Sequence, residues 1–259
     1  MSKDLFRGAA WYYARYRPGY PDKFFKHVIK KFQLDGTGRL LDLGCGTGQL
    51  AITLAPYFEK VVAIDPDHAM LAEGRRAAKR KRVKNIKWTE GSSRNLRANL
   101  GKFRLVVAGR SFHYMNQAKT LRAVYRLLGP GGGFVIMSEN SFWRSNSRWQ
   151  KAVKAIIQKY LGQRRRAGSG YFSIPGKRFE TFIRESPFRR FEEYRQTIRR
   201  TWDSKSIIGY LYSTSYSHKS MFGKQASAFE REIKKILSKL NSADKFTEIN
   251  TLSALIVRR

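Results

Sequence analysis

Short apolar runs and amphipathic stretches take turns along the first 140 residues. Residues 38–43 (GRLLDL) form a run of strand length that opens into glycines. Behind it, residues 49–58 carry Leu50, Ile52, Leu54 and Ala55 at positions suited to a helix laid on a sheet. Residues 60–65 (KVVAID) have the length and apolarity of a buried parallel strand, and 69–80 read as the next helix. Residues 85–90 and 103–108 continue the strand series. A helix over 118–128 ends at the Gly-Pro-Gly-Gly-Gly of 129–133, and 134–138 (FVIMS) is the following strand. Strands that alternate with helices in this way predict an α/β fold with a doubly wound, mostly parallel sheet.

Beyond Asn140 the texture changes. Residues 149–161 read as an amphipathic helix, 163–176 as a Gly- and Arg-rich loop and 177–185 as a short helix. A strand over 191–202, helices over 204–212 and 224–240, and a last strand over 246–257 follow. On that last strand Ile249, Leu252, Leu255 and Val257 are the expected buried positions.

With 259 residues, 42% of them hydrophobic, the chain has material for a sizeable core. Charge alters the picture more: 52 Lys+Arg against 19 Asp+Glu give a formal +33. Most cations therefore lack an internal carboxylate partner. Nucleic acid, anionic membranes and acidic small molecules become candidate partners, and a basic solvated surface is the plain alternative. The single cysteine, Cys45, excludes an internal disulfide framework and a multi-cysteine zinc site, and His27, His68, His113 and His218 fall at no metal-ligand spacing, so no metal is expected. No apolar run approaches the length of a signal peptide core or a membrane span, which makes a cytoplasmic protein the expectation.

The chemistry concentrates at Asp42-Leu43-Gly44-Cys45-Gly46-Thr47-Gly48, where a buried strand turns into a helix. Glycines there let the backbone bend sharply and let a ligand lie against it, while the helix presents free N–H groups. Gln49 stands where the dinucleotide fingerprint needs a small residue, which weakens a nicotinamide reading, and no Lys-Ser/Thr pair follows to make a P-loop. Asp65 ends the next strand, where a carboxylate can accept both hydroxyls of a ribose; a helix cap is the simpler role for such a residue.

These residues resemble the class I S-adenosylmethionine-dependent methyltransferases, whose DxGxGxG motif matches Asp42, Gly44, Gly46 and Gly48 and whose acidic second-strand end matches Asp65. The resemblance extends through Glu90–Leu96 and Leu128-Gly129-Pro130-Gly131-Gly132. Within the family, Tyr16-Arg17-Pro18-Gly19-Tyr20-Pro21 and the stretch 108–114 (AGRSFHY) look like a bacterial small-molecule subgroup related to trans-aconitate methyltransferases. Arg110 and Tyr114 depart from the Gln and Trp common there. The resemblance implies a seven-stranded Rossmann-like sheet with a helical insertion over the substrate end, and S-adenosyl-L-methionine as cofactor. It implies one domain over 1–259: an N-terminal lid and helix (1–36), a cofactor-binding core (37–140), a helical substrate-side insertion (140–188) and the last strands and helices (189–259).

The cofactor contacts so implied are Tyr16 and Arg17 in a lid, Asp42, Gly44, Gly46 and Gly48 in the turn, Asp65, Pro66 and Met70 beyond the second strand, Ser92 and Ser93 near the adenine, and Gly109. Arg110, His113, Tyr114 and Trp143 are the candidate acceptor contacts, with the arginines of 164–166 as a further anion-binding candidate. Methyl transfer is an in-line displacement in which positioning does most of the work, and His113 is the best-placed base if the acceptor must lose a proton. A small-molecule methyl acceptor, with anions among the candidates, is the expected substrate. A nucleic-acid methyltransferase, suggested by the basic stretch 75–87, and a non-catalytic basic binding protein are the competing classes. The chain lacks the Asn/Asp-Pro-Pro-aromatic motif of many base aminomethylases.

Overall fold

The computed structural model describes residues 5–140, 142–172 and 176–259. Seven strands, β1 (Arg39–Leu43), β2 (Lys60–Asp65), β3 (Ile86–Glu90), β4 (Phe103–Gly109), β5 (Leu128–Glu139), β6 (Glu192–Trp202) and β7 (Phe246–Arg258), form one sheet in the order β3-β2-β1-β4-β5-β7-β6. The first five run parallel, β7 is antiparallel to β5, and β6 is antiparallel to β7. The winding reverses between β1 and β4, which opens a crevice at the carboxyl ends of those strands, the usual ligand position in such sheets. The glycines of 129–133 lie within β5 and do not merely end the preceding helix; they absorb a register shift against β4 between Phe103 and Leu105.

Both sheet faces are covered. Helices α2 (Asp22–Lys31) and α3 (Gln49–Leu54) bury Phe24, Val28, Leu50 and Leu54 on one face. On the other, α5 (Gln117–Leu127) and α7 (Phe179–Arg184) bury Leu121, Val124 and Ile183. Helix α1 (Ala10–Tyr16) precedes these, and α4 (His68–Arg80) links β2 to β3. A third cluster joins α6 (Arg148–Leu161), α8 (Ser204–Tyr212) and α9 (Ala226–Leu240) through Val153, Ile157, Leu211, Tyr212, Phe229 and Ile233. The helix expected in the 140–188 insertion thus packs with helices from the C-terminal part, and the three make one cap.

Two expectations change. In the loop 163–176, Arg166–Ala167 and Gly170–Tyr171 pair as a small antiparallel hairpin, while 173–175 lie outside the described residues. On β7, Leu252, Leu255 and Val257 are buried as expected, but Ile249 is 70% exposed. The strand alternates, and its inward positions at this end are Phe246, Glu248 and Asn250. Polar residues are tolerated inside because Trp202 Nε1 and Gln150 Nε2 donate to the Glu248 carboxylate (3.1 and 3.2 Å).

Candidate cofactor and acceptor site

The glycine turn sits on the end of β2, with Gly44 and Cys45 N–H groups donating to the Ile64 carbonyl (2.8 and 3.0 Å). Gly44 has a left-handed φ of 72°, and a Cβ there would lie 2.6 Å from Ser111 Cβ. Only glycine fits both demands. Ser111 Oγ in turn donates to the Leu43 carbonyl (2.7 Å), which ties the end of β4 to the turn. Asp65 is 6% exposed; its Oδ2 accepts from Gly46 N–H (2.8 Å) and its Oδ1 from Asp67 N–H (2.9 Å). Burial pushes its carboxyl up to about 6, against the pull of those two donors. Asp42 is buried beneath the turn and accepts from Ala51 N–H (3.0 Å) in the first turn of α3; burial lifts it to about 7.

Gly44, Gly46, Asp65, Pro66, Met70 and Gly109 all line one hollow above this turn. Other candidates stand elsewhere. Asp42 supports the turn from below, and Gly48 caps α3, where a Cβ would run into the Trp88 ring. Ser92 and Ser93 lie off the hollow at the end of β3, where Ser92 forms a capping box with Asn95. Tyr16 is a correction: its ring packs on Gly209 of α8 and beside Tyr12, and it faces away from the hollow. One helical turn earlier, Tyr13 lies over Gly46, 3.7 Å from where its Cβ would be, and with Phe6 it closes the hollow to about 30 Å³. The walls suit an adenosyl ligand in kind, a Cβ-free cradle beside a buried carboxylate.

A larger cavity of about 910 Å³ adjoins the hollow. The two share Phe6, Tyr13, Arg110 and Tyr114 as walls. Arg17 and His113 face this cavity, as does Tyr114, whose hydroxyl hydrogen-bonds Ser215 Oγ (3.0 Å). Of the arginines at 164–166, Arg165 lines it, stacked 4.3 Å from the Phe172 ring, while Arg164 stacks on Tyr171. Burial, then the guanidinium charges of Arg165 and Arg17, depress His113 to about 4. It is therefore neutral near pH 7 and a weak base.

Packing qualifies one acceptor assignment, Arg110, which lines the cavity, and corrects another, Trp143, which does not. Arg110 adopts a left-handed φ of 55°, its side chain is 6% exposed, and it pairs with Glu139 (2.9 Å) while donating to the Pro18 carbonyl (2.9 Å) and stacking on Tyr20. Its charge is spent on fastening the N-terminal segment to β5. Trp143 belongs to the helical cap, 5.5 Å from Tyr216 by ring centroids, and the cavity wall is formed by its neighbour Phe142.

Sequence reasoning missed Phe6, Tyr13, Glu139, Arg200 and Glu248. Tyr13 stands four residues before Arg17, and that helical spacing was a usable signal. Nothing local marked Glu139, whose carboxylate gathers Arg110 and Arg200 (2.9 and 3.0 Å) from distant segments and is held below its ordinary range by them despite burial.

Residues 40–132 match a family model described as a methyltransferase domain. CRG1 of Saccharomyces cerevisiae, named a probable S-adenosylmethionine-dependent methyltransferase, is 28% identical over 134 residues, 51% of this chain and 44% of that protein. UbiE of Zymomonas mobilis, a C-methyltransferase of ubiquinone/menaquinone biosynthesis, is 28% identical over 137 residues, 52% of this chain and 57% of its own. The chain thus spans about half the length of the curated relatives it matches. The crystal structure of YcgJ from Bacillus subtilis has the same fold, with a TM-score of 0.54 at 13% identity over 92% of this chain and 99% of that one. Among the described residues no helix is long and apolar enough to cross a membrane. In its strand order and glycine turn the chain is similar to the class I S-adenosylmethionine-dependent methyltransferases, and residues 40–132 match a methyltransferase domain.

Proposed function

We propose that the chain methylates a small anionic molecule held in the 910 Å³ cavity, using S-adenosylmethionine. The observation that carries this reading is the common wall: Tyr13, Arg110 and Tyr114 border both the hollow over the glycines and the cavity. When bound, S-adenosylmethionine supplies an electrophilic methyl group on a sulfonium sulfur. Gly44 and Gly46 would hold its methionine and ribose portion, Asp65 its ribose hydroxyls, and Pro66 and Met70 its base.

On the acceptor side, Arg165 presents a guanidinium suited to a carboxylate or phosphate. Arg17, also on the cavity wall, would pair with the methionine carboxylate at the boundary. Neutral, weakly basic His113 suits an acceptor atom that is already ionised near pH 7, or one oriented by a hydrogen bond. This modifies the general-base role expected of it. Binding in the cavity beside the hollow would supply the positioning on which displacement depends.

The test is calorimetric binding of S-adenosylmethionine and its demethylated product, followed by transfer of labelled methyl to small carboxylates and phosphates, with bulk RNA as the competing acceptor. Label in the small acids and none in RNA is expected. Label in RNA alone, or no cofactor binding, overturns the reading. The basic stretch 75–87 that suggests RNA runs from α4 towards β3, and none of its residues lines the cavity.

A further inference from the structure

The two edges of the sheet differ. Strand β3 is five residues long, whereas β6 runs for eleven, contains no proline and pairs with β7 in unbroken register along its whole length. Among the described residues no backbone group of 192–202 bonds to anything but β7. A free edge of that length is a template for another strand, and proteins usually blunt it with proline, a bulge or charged side chains; here the charges are of both signs.

The edge carries EEYRQTIRRTW, which is complementary to itself when read antiparallel about Gln196. Glu193 then falls opposite Arg199 and Tyr194 opposite Ile198; Glu192 and Arg200 also face each other, but each is held within its own chain, by Lys31 and by Glu139 and Glu248. Cross-strand pairs of opposite charge and of aromatic with β-branched residues are the stabilising ones. A two-fold centred one residue on, at Thr197, would instead set Arg195 against Arg199. Side chains 193 and 199 lie on the solvent face, while 194 and 198 are partly buried on the other. Along that second face runs a groove of about 540 Å³ lined by Arg15, Tyr16, Tyr20, Ile198, Arg200 and Trp202. It offers apolar wall for an incoming Tyr194.

We propose that β6 is the contact of a homodimer in which two copies pair antiparallel about Gln196, so that two seven-stranded sheets become one. The contact lies on the opposite side of the N-terminal segment from the acceptor cavity and does not depend on what is methylated.

Cysteine placement tests the geometry. The native Cys45 is buried. Residues facing each other across an antiparallel pair have Cα atoms about 4.5–5.5 Å apart, within disulfide reach. Under mild oxidation Gln196→Cys should give a species of twice 30.0 kDa on a non-reducing gel. Arg199→Cys should not, because its two copies would stand roughly 20 Å apart. Charge tests the pairing: Glu193→Arg and Arg199→Glu should each weaken dimerisation in sedimentation at least about 10-fold, and the double exchange should restore it to within about 3-fold, a swing typical of cross-strand pairs formed twice. Circular dichroism melts confirm that each variant is folded. A wild-type chain that sediments as a monomer at about 100 µM in moderate salt overturns the proposal, as does equal cross-linking of the two cysteine variants or failure of the double exchange to restore the dimer.

Discussion

The hollow over the glycines and the cavity beside it meet at Tyr114 but are built in opposite ways. The floor of the hollow is the glycine turn and adjacent strand ends, 44–46 and 65–70, with Asp65 as its buried carboxylate under Phe6 and Tyr13. The cavity is made of side chains from widely separated segments, with Arg17, His113, Arg165 and Tyr216 converging from α1, the end of β4, the hairpin loop and the turn after α8. A site made by the backbone at a strand-to-helix turn is dictated by local sequence. One made by converging side chains exists only once the chain has folded. The same contrast separates two arginines of the cavity wall, because Arg110 is consumed by structure and Arg165 faces the acceptor space.

The strongest way to break this contrast is Arg110→Ala. It leaves Glu139 buried with Arg200 alone and frees the Pro18 carbonyl, so it should destabilise the fold by about 3 kcal/mol in denaturant unfolding. Little loss of stability would return Arg110 to the acceptor. Asp65→Ala removes the buried carboxylate proposed to accept the ribose hydroxyls and should weaken cofactor binding by about 100-fold in calorimetry, while Arg165→Ala leaves that binding within about 2-fold. Arg165→Ala should instead raise KM for an anionic acceptor roughly 20-fold; equal effects on both ligands would merge the two sites.

The pH dependence is smaller and has a defined sign. On the proposed assignment ribose hydroxyls would donate to the ionised form of Asp65, whose burial holds it at about 6, so cofactor affinity should rise with pH and level off above 7. At pH 5 it should be about 10-fold weaker, and Asp65→Asn should abolish the dependence. Folding stability moves the other way: between about 4 and 6 the folded chain binds the proton that the unfolded chain has lost, so this group's contribution falls as pH rises. The smallest effect expected is for Trp143→Phe, under about 2-fold in acceptor KM, because the ring packs in the helical cap off the cavity wall.

The legible part of the fold follows the same division. Strands of the parallel half announce themselves as apolar runs because both faces of such a sheet are covered, and the turn residues between them have few conformational options. On β7 the rule fails at Ile249, since hydrophobicity alone cannot say that Glu248 and Asn250 will find Trp202, Gln150 and the Asn140 carbonyl inside. Tyr16 and Tyr13 illustrate the same limit on a helix: both are aromatic, three residues apart, and their partners Gly209 and Gly46 decide which faces the cofactor.

By itself the sequence determined the alternation of strands and helices, the glycine turn and the carboxylate twenty residues on, because each rests on local periodicity or on backbone conformations that few residues can adopt. Tertiary structure alone decided the acceptor side. There the outcome depends on which of 52 cations meets one of 19 carboxylates: Arg110 and Arg200 meet Glu139, and Arg165 faces the cavity. Ion pairing is set by distance in space, and distance in space is what a linear chain does not record.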